Sequence, residues 1–267
     1  MANRKCPIIT LLTDFGLKDP YVASMKGVIL SINPQCTLVD ITHQVTPHDI
    51  KEGAFMLGQA YSNFPGGTIH LSVVDPGVGS PRRPILFVTQ NYLFIGPDNG
   101  LFTLALKREK LKKVIVLGKM EFFLPEVSPT FHGRDLFAPV AAHLSLGIAP
   151  ESFGRVIKSW NEISFPEPVL RQEKLIGEIV HIDTFGNLVC NIDYKDLLKF
   201  SKGRLFVIKI GKRTMRGLRK GYWEGRKNEP MGLIGSGGFL EISVREGNAQ
   251  RTLRAKKGAP VVVRTGE

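Results

Sequence analysis

The sequence predicts an α/β fold in two parts: an N-terminal α/β domain with a mostly parallel sheet over residues 1–165, and a smaller C-terminal β-barrel domain over residues 166–267. Three observations lead there. In the first part, apolar runs of strand length alternate with segments of helical periodicity, the pattern of a sheet covered on both faces. In the second part, short β-rich runs follow at close spacing between Gly, Asn and Lys/Arg turns, the pattern of a small barrel or sandwich. Between them, SWNEISFPEPVLRQEK carries two prolines and reads as a linker.

The elements follow in order. PIITLLTDF is an apolar strand ending in an acid. YVASMKGVILSIN sets Val22, Met25, Val28 and Ile29 on one helical face. TLVDIT is a second strand. DIKEGAFMLGQAYSNF opens on Asp49 with Glu52 three residues on, an N-cap and its capping-box partner. TIHLSVV is a third strand; PILFVTQ and YLFIGP read as a pair joined at Asn91. GLFTLALKRE is a helix, KVIVLG a strand, and DLFAPVAAHLSLG a helix ending at Gly147, with Asp135 placed to cap it. After the linker, LIGEIVHID, LVCNID, RLFVIKI, GLIGS, FLEISV and PVVVR are strands.

Composition narrows the function. The net charge is +12, divided as +3 over residues 1–165 (16 Lys/Arg, 13 Asp/Glu) and +9 over residues 166–267 (20 and 11). A basic half can mark a nucleic-acid binder. Here the basic residues between Lys199 and Lys227 alternate with β-type residues and no nucleic-acid motif accompanies them, so they read as solvated surface and no nucleic-acid partner is expected. Cys6, Cys36 and Cys190 match neither a zinc spacing nor a disulfide framework, which points to a reducing compartment. No apolar run approaches the roughly 18 residues of a membrane span, and MANRKCPIITLLTDFG meets Asp14 too soon for a signal peptide. A soluble, cytoplasmic protein without a membrane partner is expected.

In open parallel sheets, ligands gather beyond the carboxyl ends of the strands. Asp14, Asp40, Asp75 and Asp98 each end a strand-like run. In TDFGLKDPYV, Asp14 and Asp19 bracket a loop into a helix, where a carboxylate can accept ribose hydroxyls; Asp19 could equally cap the helix. In VVDPGVGSPRR, the Pro-Gly turn lets backbone approach a ligand, and Arg82, seven residues on, can pair with Asp75, as a site or as a structural staple. Arg83 reads as solvated surface. In PTFHGRDLFAPVAA, His132 stands at a helix entrance beside Gly133, as an active-site or a structural histidine. Together an Asp, an Arg and a His could orient and deprotonate water. There is no nucleophile elbow, no H-E-x-x-H and no P-loop; His43, His48 and His70 form no metal spacing, so no metal is expected.

TDFGLKDPYVASMKG, VDITHQVTPHDI, FPGGTIHLSVVDPGVGSPRR, IGPDNGLF and TFHGRDLFAPVAAHL, with HIDTFGNLVCNI and LIGSGGFLEISVREGNA in the second half, resemble the S-adenosylmethionine hydrolases (S-adenosylmethionine hydroxide adenosyltransferases), relatives of the fluorinase and chlorinase enzymes. The motifs run in family order along nearly the whole chain. The resemblance implies an α/β domain plus a barrel, assembled as a homotrimer, with substrate bound between one subunit's first domain and a neighbour's second. It implies hydrolysis of S-adenosyl-L-methionine, a substrate and not a cofactor, to adenosine and L-methionine by water or hydroxide attack at the ribose C5′, with no further cofactor. The family's Asp/Arg/His triad falls on Asp75, Arg82 and His132, and its ribose-binding acid on Asp14. Contacts to the methionine moiety fall on Asp19, Tyr21, Asp183 and Ser236, and adenine contacts on Phe185, Asn187, Tyr222 and Ala249. The halogenating relatives carry tyrosine at the position of Asp75 and serine at that of Gly133; a carboxylate repels halide but can take a proton from water. Some relatives carry arginine beside Ser236, where this chain has Gly237. Two other classes stay open: a binding or sensing protein for S-adenosylmethionine or a nucleoside with negligible turnover, and a nucleic-acid binder using the basic half.

Overall fold

The computed structural model describes residues 6–266. The chain divides into two compact units, with the boundary after Ile163.

Unit 1 is a seven-stranded sheet, in the order β2-β1-β3-β5-β4-β6-β7. Its strands are β1 (Ile8–Thr13), β2 (Thr37–Thr42), β3 (Ile69–Val73), β4 (Pro84–Thr89), β5 (Leu93–Pro97), β6 (Leu111–Leu117) and β7 (Gly154–Ile157). β1 pairs in parallel with β2 and β3, and β3 with β5; β4 is antiparallel to β5 and β6, and β7 to β6. Five strands therefore run one way and β4 and β7 the other. The inner strand β3 is buried at every position, as expected where helices cover both faces.

Helices α1 (Tyr21–Ile32), α2 (Ile50–Ala60), α3 (Thr103–Leu106) and α4 (Ala138–Ser145) do that covering. Met25 and Ile29 of α1 and Val140, Ala141 and Leu144 of α4 join Ile9, Leu11, Leu71 and Val73 in one core. α2 covers the other face. There Gly53 leaves room that a Cβ would lose, meeting Leu101 at 2.8 Å and Val74 at 3.1 Å. The N-cap of α2 is as the sequence predicts: Asp49 Oδ1 accepts from Glu52 N at 2.9 Å.

Several expectations change. The helix read from GLFTLALKRE is α-helical only over Thr103–Leu106. α4 is preceded by a π-helical turn over Gly133–Phe137, and Asp135 does not cap it. Asp135 is fully buried, pairs with Arg134 Nε at 2.5 Å and accepts from Ser128 N at 2.8 Å, so it anchors the preceding loop instead. Asp40 lies inside β2, which continues two residues beyond it. Nor does Asp19 cap α1, whose N-cap is Pro20.

Unit 2 is a nearly closed antiparallel barrel-like sheet. Its strands are β8 (Val169–Arg171), β9 (Lys174–Ile182), β10 (Leu188–Asp193), β11 (Phe206–Ile210), β12 (Arg213–Arg216), β13 (Pro230–Ile234), β14 (Phe239–Val244) and β15 (Pro260–Thr265). The order is β12-β11-β15-β9-β10-β14-β13, with β8 on β9. Burial alternates along β9 and β10, the period-two signature of a sheet with one face inward. Leu175, Ile179, Leu188, Cys190, Ile208, Leu240, Ile242, Val261 and Val263 fill the interior. Two short helices went unread in the sequence: α5 (Tyr194–Ser201), capped by Asp193 through Asp196 N at 2.7 Å, and α6 (Ala249–Leu253), capped by Asn248 through Arg251 N at 2.8 Å.

Candidate active site

β3 ends at Val73, and the chain leaves the sheet through Val74 into the turn that begins at Asp75. The turn closes on itself: Val78 N donates to the Asp75 carbonyl at 3.2 Å, and Ser80 N to that of Gly77 at 3.1 Å. This returns Arg82 to Asp75. Its Nε donates to Oδ1 at 3.0 Å and Oδ2 at 2.9 Å, and its Nη2 to Oδ2 at 2.5 Å. The pair is withdrawn from solvent, the side chains 5% and 10% exposed. Arg82 also lies over the Phe137 ring, 5.3 Å from its centroid.

The same Nη2 reaches His132 Nδ1 at 2.7 Å. A guanidinium only donates, so Nδ1 must accept and the ring proton sits on Nε2. Burial, and then the Arg82 charge, hold the His132 pKa below the ordinary 6.5, against the smaller pull of Asp75 and Asp135. The ring is therefore neutral at neutral pH, with Nε2–H as a donor. One group in this line has no hydrogen-bond partner among the described residues: Arg82 Nη1, which is buried. A buried donor without an acceptor is costly, so its presence needs an explanation.

Two glycines admit this geometry. Gly79 has φ +77°, and a Cβ there would stand 2.3 Å from the Pro129 carbonyl oxygen. Only glycine lets the Asp75–Arg82 turn lie against the segment that carries His132. At Gly133 a Cβ would meet Met25 and Phe15 at 3.3 Å, tight but not prohibitive.

Around this centre lies the first loop. Asp14, just past β1, accepts from His48 N at 2.9 Å, with His48 at φ +67°. Asp19 is exposed, and Tyr21 is half-exposed, with edge-on contacts to Phe131 and Phe15. Phe131 immediately precedes His132, which brings Tyr21 beside the Asp–Arg–His line, and because β1 and β3 are parallel Asp14 and Asp75 leave the sheet at the same edge.

Asp183, Phe185, Asn187, Tyr222, Ser236 and Ala249 lie in unit 2. Asp183 organises the β9–β10 turn: Oδ1 accepts from Phe185 N at 3.0 Å and Asn187 N at 2.8 Å, and Oδ2 from Asn187 Nδ2 at 2.9 Å. That turn thrusts Phe185 outward, 75% exposed. Asn248 presses against Gly186 of the turn, bringing the start of α6 alongside. Ala249 itself is fully buried, so backbone is all it can offer a ligand. Tyr222 OH donates to Glu241 Oε1 at 2.8 Å; burial, then that bond, push its pKa up to about 12. Ser236 is in the β13–β14 turn, near the buried Glu241.

Sequence reasoning missed Glu241 and His48. The signal for Glu241 is an acid inside the apolar run FLEISV; for His48 there is none beyond its place in TPHD. Arg83 is also reassigned. It is no idle surface residue, because its Nε and Nη2 donate to buried Asp98 at 2.8 and 2.5 Å. Among the described residues, no group of three His, Cys, Asp or Glu side chains gathers as a metal site, and no helix is long and apolar enough to cross a membrane.

Comparison with known proteins now bears on this geometry. Residues 9–154 match the model of the SAM hydroxide adenosyltransferase N-terminal domain, and residues 177–262 that of the C-terminal domain. The chain belongs to the SAM hydroxide adenosyltransferase family. It is 36% identical over 260 residues to an (R)-S-adenosyl-L-methionine hydrolase of Thermus thermophilus, covering 95% of this chain and 98% of the relative. It is 36% identical over 261 residues to another of that name from Methanocaldococcus jannaschii, covering 92% and 91%. The crystal structure of an uncharacterized conserved protein from Thermotoga maritima superposes with a TM-score of 0.91 at 36% identity, over 96% of this chain and 99% of that one. The SAM hydroxide adenosyltransferase fold is thus shared over nearly the full chain, in both units.

Proposed function

We propose that this protein hydrolyses S-adenosyl-L-methionine to adenosine and L-methionine by attack of water or hydroxide on the ribose C5′. The observation that carries the reading is the Asp75–Arg82–His132 line with its buried, unshared Arg82 Nη1. The substrate comes from the relatives, which are named as hydrolases of the (R) epimer.

The chemistry suits a site of this make-up. The C5′–S bond breaks with both electrons going to sulfur, and methionine leaves as a neutral thioether, so no acid is needed there. Free water, with a pKa of about 15.7, is a weak nucleophile. As the C5′–O bond forms, however, the attacking oxygen becomes oxonium-like and its protons strongly acidic, so a carboxylate suffices to take one. His132 is engaged at Nδ1 and protonated at Nε2, which makes it a donor and not the base. That role falls to Asp75, whose oxygens keep a lone pair beyond those facing Arg82. Arg82 Nη1–H donates to one lone pair of the water oxygen and leaves the other free to attack C5′, while His132 holds Arg82 in place through Nη2. Holding it in line at about 3–3.5 Å from C5′ supplies much of the acceleration, with inversion at carbon.

In this reading Asp14 accepts the ribose hydroxyls. Asp19, Tyr21, Asp183 and Ser236 face the methionine moiety, and Phe185, Asn187, Tyr222 and the Ala249 backbone face adenine. The active assembly is a homotrimer whose neighbouring chains complete each site, working without a cofactor in the cytoplasm. Three unpaired thiols, Cys36 and Cys190 among them buried, agree with a reducing setting.

The test is to incubate the purified protein with each sulfonium epimer and separate the products. Adenosine and methionine in equal amounts, faster from the (R) epimer, support the proposal. S-adenosylhomocysteine formed only when a methyl acceptor is added would overturn it, as would tight binding without products over hours.

A further inference from the structure

His43 follows β2 and takes no part in the chemistry above. We propose that it is a positioning residue, which fixes the first loop and the carboxylate of Asp14 through Thr13. The proposal rests on the reading of Asp14 as a substrate-binding group.

The His43 ring is 3% exposed. Its Nδ1 lies 2.9 Å from Thr13 Oγ1, and Nε2 makes an off-axis contact of 3.0 Å with Asp40 Oδ1. Asp40 in turn accepts from Lys26 Nζ of α1 at 2.6 Å. A carboxylate only accepts, so the ring proton belongs on Nε2, and Nδ1 takes the Thr13 hydroxyl proton. The Thr13 oxygen is then left to accept from Phe15 N, at 3.2 Å. Backbone bonds run alongside: Gly16 N donates to the His43 carbonyl at 2.7 Å and Val45 N to that of Thr13 at 3.4 Å. Residues 13–16 are thus fastened to residues 43–45 by side chain and main chain together. Asp14 stands inside that clasp, and Phe15 reaches from it to the Gly133 wall of the site.

A second buried histidine, within the sheet itself, shows what the line adds. His70 on β3 also bonds a threonine, Thr10 Oγ1 at 2.7 Å, but it is ringed by Tyr61, Phe64, Tyr92 and Phe94, and burial drives its pKa to about 3. Its contacts end in the core. Those of His43 run from a surface ion pair to the backbone amide beside Asp14. The hydrogen bonds from His43 Nδ1 through Thr13 Oγ1 to Phe15 N, with the Asp40 carboxylate facing Nε2, favour one arrangement of the loop, and a shift of about 1 Å in a substrate-holding group can cost about 10²-fold.

The experiment compares His43→Phe and Thr13→Val with the conservative His43→Asn, which keeps an acceptor near Nδ1, and Thr13→Ser, which keeps the hydroxyl. Three readouts are taken: hydrogen–deuterium exchange over residues 13–17, adenosine affinity by calorimetry, and KM against kcat for S-adenosylmethionine. His43→Phe and Thr13→Val are expected to speed exchange in that segment, and to raise KM and the adenosine Kd about tenfold, the effect of one lost hydrogen bond. They should leave kcat within about threefold, and Thr13→Ser should restore all three. Unchanged exchange in folded His43→Phe overturns the proposal, as does a fall in kcat with KM intact. If the wild-type protein releases no adenosine, the functional reading fails by itself, and exchange with adenosine affinity still judges His43.

Discussion

Arg82 and Arg83 are neighbours in sequence, and each pairs with an aspartate beyond a strand of the same sheet, yet the two pairs end differently. Asp98, one residue past β5, takes Arg83 Nε and Nη2 on Oδ2 and Asn161 N on Oδ1 at 2.7 Å; its carbonyl accepts from Asn161 Nδ2 at 2.8 Å. These bonds close among themselves, and the result is a fastening for the last segment of unit 1. Around Asp75 the bonds run on to His132 and stop at an Arg82 nitrogen with no partner among the described residues. The two pairs share residue types. What separates a staple from a candidate reaction centre is whether its hydrogen bonds close on themselves.

The comparison breaks most sharply by amide substitution. Asp75→Asn keeps one acceptor for Arg82 but removes the base, and kcat should fall about 10² to 10⁴-fold, the usual worth of general acid–base help. Steady-state kinetics well below the melting temperature check this; an unchanged rate would take Asp75 out of the chemistry. Asp98→Ala should do the reverse. Losing the buried Asp98 carboxylate strands Asn161 N and frees a partly exposed Arg83, a cost of about 1–3 kcal/mol, so denaturant midpoints should drop while kcat in the folded fraction stays near wild type.

Smaller effects sharpen the contrast. Gly79→Ala forces a side chain into φ +77° and against Pro129. Its strain of about 1–3 kcal/mol should appear partly as lost stability and partly as lost turnover, because the displaced segment carries His132. The least effect is in pH. Protonating His132 would cost it the Arg82 bond, and its pKa is lowered from 6.5. The neutral form is the one the folded state favours, so the associated stability is present above 6.5 and is lost as pH falls toward the lowered value. The acid limb of kcat/KM should accordingly lie below 6.5 in wild type and vanish in His132→Gln.

How much of this the sequence discloses depends on range. The parallel strands, the α2 cap and the barrel are legible because period and capping are local. The turn from Asp75 to Arg82 is nearly as local, and proline, two glycines and arginine spell its return. The roles of Asp98 and Arg83 are not legible, because they depend on Asn161 coming to rest 63 residues from Asp98; that of Asp135 is not, because a π-helical turn stands where its spacing suggests the start of a helix. The helix α5 hides in DYKDLLKF, a stretch too short and too charged to stand out between strands. The tautomer of His132 follows only once Arg82 Nη2 is known to face Nδ1. The family motifs carry the site assignment where spacing alone leaves a structural ion pair and a site as equals.

The most direct test of the central claim, that this site activates water against C5′, is hydrolysis of S-adenosylmethionine in ¹⁸O-enriched water with mass analysis of the products. The account predicts one ¹⁸O atom in the 5′ hydroxyl of adenosine and none in methionine. Adenosine free of label, or label in methionine, would contradict it.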